Sequence, residues 1–217
     1  MATVTAQAII NKVRIILQDP DAIRWDTDEL LGWLNDAQRE IVLLKPDANS
    51  VAEELDLLIS GETRFSIADE GISLIDIVRN KTGNKRAIRQ INREVLDAQK
   101  QEWHNDSPSG EIKYFIFDDR NPRSFLVFPP SNGAAVVETV ISKSPSAIGL
   151  TDVIELDDIY ANVIADYILY RAYSKDAEYA ANGQRAMSAY GSFAQSLGLK
   201  AQAETLAEPR NAATAVR

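Results

Sequence analysis

The chain has no cysteine and one histidine in 217 residues. Without thiols there can be no disulfide, thiolate metal site or cysteine nucleophile, and a lone imidazole removes most His-based metal and triad chemistry. Basic residues are scarce. Lys plus Arg is 23 against 32 for Asp plus Glu, a net charge of −9 at pH 7, which argues against a nucleic-acid grip over a wide face. No run of 18 consecutive apolar residues occurs, and Lys12, Arg14 and Asp19 interrupt the apolar positions of residues 1–20. No secretory or membrane-spanning segment is therefore expected, and the chain reads as a soluble protein made in a cytoplasm. Gly-rich phosphate loops and the G-x-S-x-G and H-E-x-x-H patterns are missing too. No metal or cofactor is expected.

What is present is ordinary for a folding chain: 45% hydrophobic and 25% charged residues, enough for one large domain or two small ones. Ala6, Ile9, Ile10, Val13, Ile16 and Leu17 recur at helical spacing, and Asp19-Pro20-Asp21 stops them. Asp26 or Thr27 then caps a second helix, with Asp28 and Glu29 at its positive end and a stripe of Leu30, Leu34, Ala37, Ile41 and Leu44 before Pro46. These form a helical hairpin. From Val51 to Ser144 the pattern turns to strands. Leu55 to Ser60 and Thr63 to Ile67 flank Gly61-Glu62 as a hairpin, and Ile72 to Val78 reads as a strand apolar on both faces. Asn92 caps a short helix reaching to about Trp103; Ile112 to Phe117, Ser124 to Phe128 and Ala135 to Ile141 complete the strands.

Helical spacing returns in Tyr160, Val163, Ile164, Tyr167 and Ile168, and again, after Asn182-Gly183, in Met187, Tyr190, Phe193, Ala194 and Leu197. The expected fold is α+β: a helical bundle from both chain ends (1–48 and 150–207), an inserted β-rich domain with one short helix (49–149), and an extended C-terminal arm (208–217).

The most unusual local feature is a basic run, Arg79, Lys81, Lys85, Arg86, Arg89 and Arg93, with no acid inside it. It reads as a solvated face, as a surface for an acidic protein partner, or, least favoured with Trp103 the one aromatic nearby to stack a base, as a nucleic-acid contact. Asp152, Glu155, Asp157 and Asp158 are an acidic counterpart in the same chain, so the two sets could meet head to tail between identical subunits. Six of the seven Tyr fall between Tyr160 and Tyr190, suited to packing within the bundle or to a subunit interface. His104 reads as a surface or capping residue. For catalysis only carboxylate pairs remain, Glu94 with Asp97 or Asp118 with Asp119, neither of them specific among 32 acids.

The stretch Trp25-Asp26-Thr27-Asp28-Glu29-Leu30-Leu31-Gly32-Trp33-Leu34-Asn35-Asp36-Ala37-Gln38-Arg39-Glu40-Ile41 resembles the N-terminal signature of tailed-phage head-to-tail adaptor proteins, also called connector or head-completion proteins. The likeness is close over Val4 to Pro46 and extends by layout over the rest. It implies a non-enzymatic virion protein at the head–tail junction, made in the bacterial host. It further implies a homo-oligomeric ring, commonly of twelve copies, beneath the portal protein, with a tail or neck protein docked on it. DNA would pass through the centre without sequence-specific binding, an acidic lumen repelling its phosphates. The family's C-terminal segment grips the portal, which maps here to Arg210, Val216 and Arg217. A tail-tube or tail-completion protein is the alternative, and a virion-associated glycan hydrolase a more distant one.

Overall fold

The computed structural model describes residues 2–118, 120–179 and 181–207, the stretch from 199 by its backbone alone. It is α+β, and its contacts divide the chain into two compact units, one of Met1–Lys45 with Pro145–Arg217 and one of Pro46–Ser144.

In the first unit, α1 (Ala6–Leu17) starts at Thr5, whose side chain accepts from the Ala8 N–H, and ends at Gln18 in the left-handed conformation. Helix α2 (Thr27–Leu44) begins after Asp26, whose carboxylate makes no capping bond. The loop between them is fixed from below by Asp19. Its buried carboxylate accepts from the N–H groups of Ile23, Arg24 and Trp25, and Arg14 donates to the carbonyls of Asp19 and Trp25. These N–H bonds hold the Asp19 carboxyl below its ordinary range, against the opposing pull of burial.

Helix α3 (Arg93–Gln99) belongs to the other unit; α4 (Ala161–Lys175) packs on α1, α2 and α5 (Asn182–Ala207). Ile10, Leu30, Leu34, Ile41, Ile164, Ile168 and Phe193 are buried on these helices, each worth roughly 1.5–3 kcal/mol as apolar surface removed from water. Tyr160 and Tyr167 are buried in this unit, whereas Tyr179 and Tyr190 are exposed. Tyr167 meets Phe193 at 5.3 Å between ring centroids and Tyr170 meets Tyr190 at 5.1 Å. The irregular segment before α4 is pinned to α2. Asn35 exchanges two hydrogen bonds with the backbone of Ile148, and Gln38 accepts from the N–H of Glu155.

The described residues of the second unit hold seven strands: β1 (Ser50–Leu57), β2 (Arg64–Ser66), β3 (Gly71–Asn80), β4 (Arg89–Gln90), β5 (Tyr114–Phe117), β6 (Ser124–Phe128) and β7 (Ala135–Lys143), with α3 between β4 and β5. They form two sheets, ordered β1-β7-β3 and β2-β6-β5-β4. Leu57, Ile77, Ile112, Phe115, Phe125, Val127, Val137 and Ile141 share one core. A smaller cluster of Leu96, Trp103, Ile116 and Leu126 packs α3 against β5 and β6.

Three sequence expectations fail here. The hairpin across Gly61-Glu62 does not form. β1 pairs with β7 in unbroken register and β2 pairs with β6, while Gly61, at φ 79°, donates to Ser131 and passes the chain from one sheet to the other. The strand at 72–78 is apolar on both sides without being buried on both. Three register shifts against β7 leave Ile72, Ile75 and Val78 about 40% exposed. The short helix ends at Gln99, and Trp103 enters a separate 3₁₀ turn, fully buried.

Asn80 holds the far side of this unit. Its side chain, wholly buried, donates to the carbonyls of Arg86 and Ile112 and accepts from the N–H of Ile112. Asn80→Ala leaves these backbone groups unpaired and is expected to cost about 1–3 kcal/mol. Phe125→Ala opens a cavity in the shared core and is expected to cost about 3–5 kcal/mol. Urea unfolding of the two variants against the parent chain measures both losses.

Candidate interaction surfaces

The basic run spreads over β3, the turn after it, β4 and the start of α3. Most of its members have acidic neighbours. Arg79 pairs with Glu138, Lys81 with Glu54 at 2.9 Å, Arg86 with Glu111 at 3.6 Å, and Arg93 with Asp97 one helical turn on at 3.2 Å. Arg79 and Lys81 together hold the Glu138 carboxyl below its ordinary range, the Arg79 hydrogen bond being the largest cause. Lys85 and Arg89 are exposed and have no carboxylate within salt-bridge reach among the described residues.

The fold adds a third such cation. Lys113 precedes β5, and its carbonyl accepts the Arg89 N–H at 3.2 Å, so Lys113 and Arg89 are neighbours across 24 residues of sequence. Lys113 is exposed and without a carboxylate partner among the described residues. Reading charge runs along the chain missed it, because its own neighbours in sequence are Ile112 and Tyr114. Its one signal in the sequence was a Lys inside the predicted strand Ile112 to Phe117.

Asp152, Glu155, Asp157 and Asp158 lie in the other unit, each already serving its own chain. Asp152 accepts from Gly149 N–H, Glu155 from Ser146 N–H and Asp157 from Ile159 N–H. Asp158 accepts from the Thr3 hydroxyl and from the N–H groups of Thr3 and Val4. These bonds, led by the Thr3 hydroxyl, hold the Asp158 carboxyl below its ordinary range. The four acids thus shape the segment leading into α4 and tie down the start of the chain. Arg210, Val216 and Arg217 lie outside the described residues.

A groove of about 600 Å³ lies in the second unit between β2 and the 3₁₀ turn that carries His104. Glu62, Arg64, Arg93 and His104 line it. His104 stacks on Trp103 at 3.6 Å, and its Nδ1 lies 2.8 Å from the Thr63 hydroxyl. Glu62 accepts from the N–H groups of Arg64 and Thr63, which hold its carboxyl down. Asp97 is held down first by the Trp103 indole N–H and further by Arg93. Both are acceptors and not proton donors near neutral pH, whereas glycosidic cleavage by a carboxylate pair needs one acid whose pKa is raised. Asp118 accepts from Arg120 N–H and lies 3.8 Å from Arg64; Asp119 is outside the described residues. Among the described residues no group of three or more His, Asp or Glu side chains is placed to hold a metal, and no helix is long and apolar enough to cross a membrane.

Compared with known families, residues 4–217 match the model for the SU10 adaptor protein family. No curated protein matches the chain.

Asp158→Asn separates a tether from an interface. A carboxyl held below its unfolded value, here 3.8, stabilises the fold above that value and loses its contribution as pH falls through the lower, folded one. The variant is expected to melt at a lower temperature at pH 7 and to lose less stability than the parent on acidification below about pH 4. Thermal melts across pH 3–7 provide the check.

Proposed function

Because the chain belongs to the SU10 adaptor protein family, whose members are structural components of phage virions, we propose that it is a non-enzymatic head-to-tail adaptor. Copies form a ring beneath the portal, commonly of twelve in such adaptors. The tail or neck docks on the face away from the head, and DNA passes through the centre. The observation that carries this reading is the family match over residues 4–217, which includes the β-rich unit as well as both helical ends. Each copy in this reading is a helical bundle made from both chain ends, with residues 49–149 as an inserted domain.

The charge supports passage of DNA without retention. A net charge of −9 per copy, summed over a ring, disfavours tight phosphate contacts and lets the duplex slide. Subunits meet head to tail, the basic run from Arg79 to Arg93 supplying one side of the contact. The C-terminal segment, with Arg210, Val216 and Arg217, reaches the portal. Docking that depends on a segment ordering on its target makes attachment conditional on that target.

Negative-stain imaging of the purified protein with its phage's portal ring tests the proposal. A second ring layer on the portal is expected, and removal of residues 208–217 is expected to abolish it. Rings or tubes of the protein alone, with no portal complex, would instead favour a tail-tube or tail-completion role.

A further inference from the structure

The β unit has two unlike lateral margins. On one, β1 is an eight-residue edge strand with β7 as its single neighbour in the sheet. Lys81 donates its N–H to Val136, so even-numbered residues of β7 face β3 and odd-numbered ones face β1. The register sets Ala135, Val137, Thr139 and Ile141 opposite Leu57, Leu55, Glu53 and Val51. The N–H and C=O groups of Ala52, Glu54 and Asp56 therefore point outward, and all three residues are exposed. This margin carries three acids, Glu53, Glu54 and Asp56. Glu53 pairs with Lys143 and Glu54 with Lys81 from within the same sheet, while Asp56 has no cation in reach among the described residues.

On the other margin the edge of β3 is covered. Asn80 donates to Arg86 O, Ile88 donates to Val78 O, and Leu74 donates to Pro122 O. The covering segment then continues into β4, which bonds to β5. Its backbone groups bond to β3 on one side and to β5 on the other, so what it offers outward is side chains, Lys85 and Arg89; Lys113, whose carbonyl accepts the Arg89 N–H, lies just before the adjoining strand β5.

We propose that these margins meet between copies of this chain, the β1 margin of one copy receiving Lys85, Arg89 and Lys113 of the next. Lys and Arg side chains are donors only, and the β1 margin offers them acceptors: the Asp56 carboxylate and the outward carbonyls of Ala52, Glu54 and Asp56. Because β1 and the segment 86–88 flank opposite sides of the β7-β3 pair, the contact is heterologous: each copy uses one margin for each neighbour, as a ring requires. This inference rests on the adaptor ring proposed above and names the acidic surface that the basic run meets.

The absence of cysteine allows a direct test in assembled particles. Phage carrying Asp56→Cys together with Arg89→Cys are treated with a short bismaleimide, beside each single variant; Glu54→Cys with Lys85→Cys serves as a second, independent pair. A ladder of covalent multimers from a double variant and none from the singles is the expected result. Particles that contain the protein but give no ladder with either pair would overturn the contact while leaving the adaptor reading standing. Dimers from a single-cysteine variant would overturn it in favour of a two-fold contact. Absence of the protein from particles would overturn the adaptor reading itself. In parallel, filter binding of duplex DNA to the parent chain and to the Lys85→Glu, Arg89→Glu, Lys113→Glu variant is expected to show no retention by either; retention by the parent that the variant loses would reassign this margin to DNA.

Discussion

Buried backbone N–H and C=O groups must find partners, and in this chain a few buried polar side chains meet that demand wherever regular structure stops. Asp19 does so for the α1–α2 loop, Asn35 and Gln38 for the segment before α4, and Asn80 for the crossing from β3 to β5. Each acts at a place where the chain must turn without a ladder of its own. The consequence is that the loops between elements are positioned by specific side chains and not by length alone, and the surfaces those loops carry inherit their placement. The Lys85–Arg89 segment shows this most clearly, since Asn80 grips the carbonyl of Arg86 from inside the core.

An acidic protein with a basic margin is not a contradiction, because local pairing decides what a charge can still do. Arg79, Lys81, Arg86 and Arg93 have acids within reach in their own chain, though pairs at such exposure contribute little to stability. Those pairs matter more for what they neutralise. After them, the cations left without an acid in reach among the described residues are Lys85, Arg89 and Lys113, and the sequence run of six becomes a smaller set with a different membership.

The helices were legible because one face of each is continuous in sequence. The stripe from Ala6 to Leu17 and the Asp19-Pro20 stop gave α1 its bounds, and the acidic start and leucine spacing gave α2. Strand existence was legible too, but partnership was not. β1 joins β7, nearly 80 residues away, because Leu55 and Leu57 meet Val137 and Ala135 in a core that local turn chemistry at Gly61 does not encode. The exposure of Ile72, Ile75 and Val78 likewise depends on register shifts that follow from pairing with β7. For the candidate site, the basic run was visible as letters, while its division into paired and unpaired cations, and the adjacency of Lys113, required the sheet.

A contact made from exposed charges between margins of this kind is weak singly and falls further with salt, since a Debye length near physiological ionic strength is about 8 Å. That weakness suits an assembly that must close only in one place. A heterologous contact has no intrinsic end: unless the rotation between copies closes, it propagates into a filament. If each contact were strong, free copies would associate before reaching the capsid vertex. With weak contacts, a portal that holds several copies side by side raises their effective concentration, and margins that do not hold two free copies together can then close a ring. Under the proposed adaptor role the symmetry of the ring would be set by the portal, and the β1 and Lys85–Arg89 margins would select the orientation in which neighbours fit.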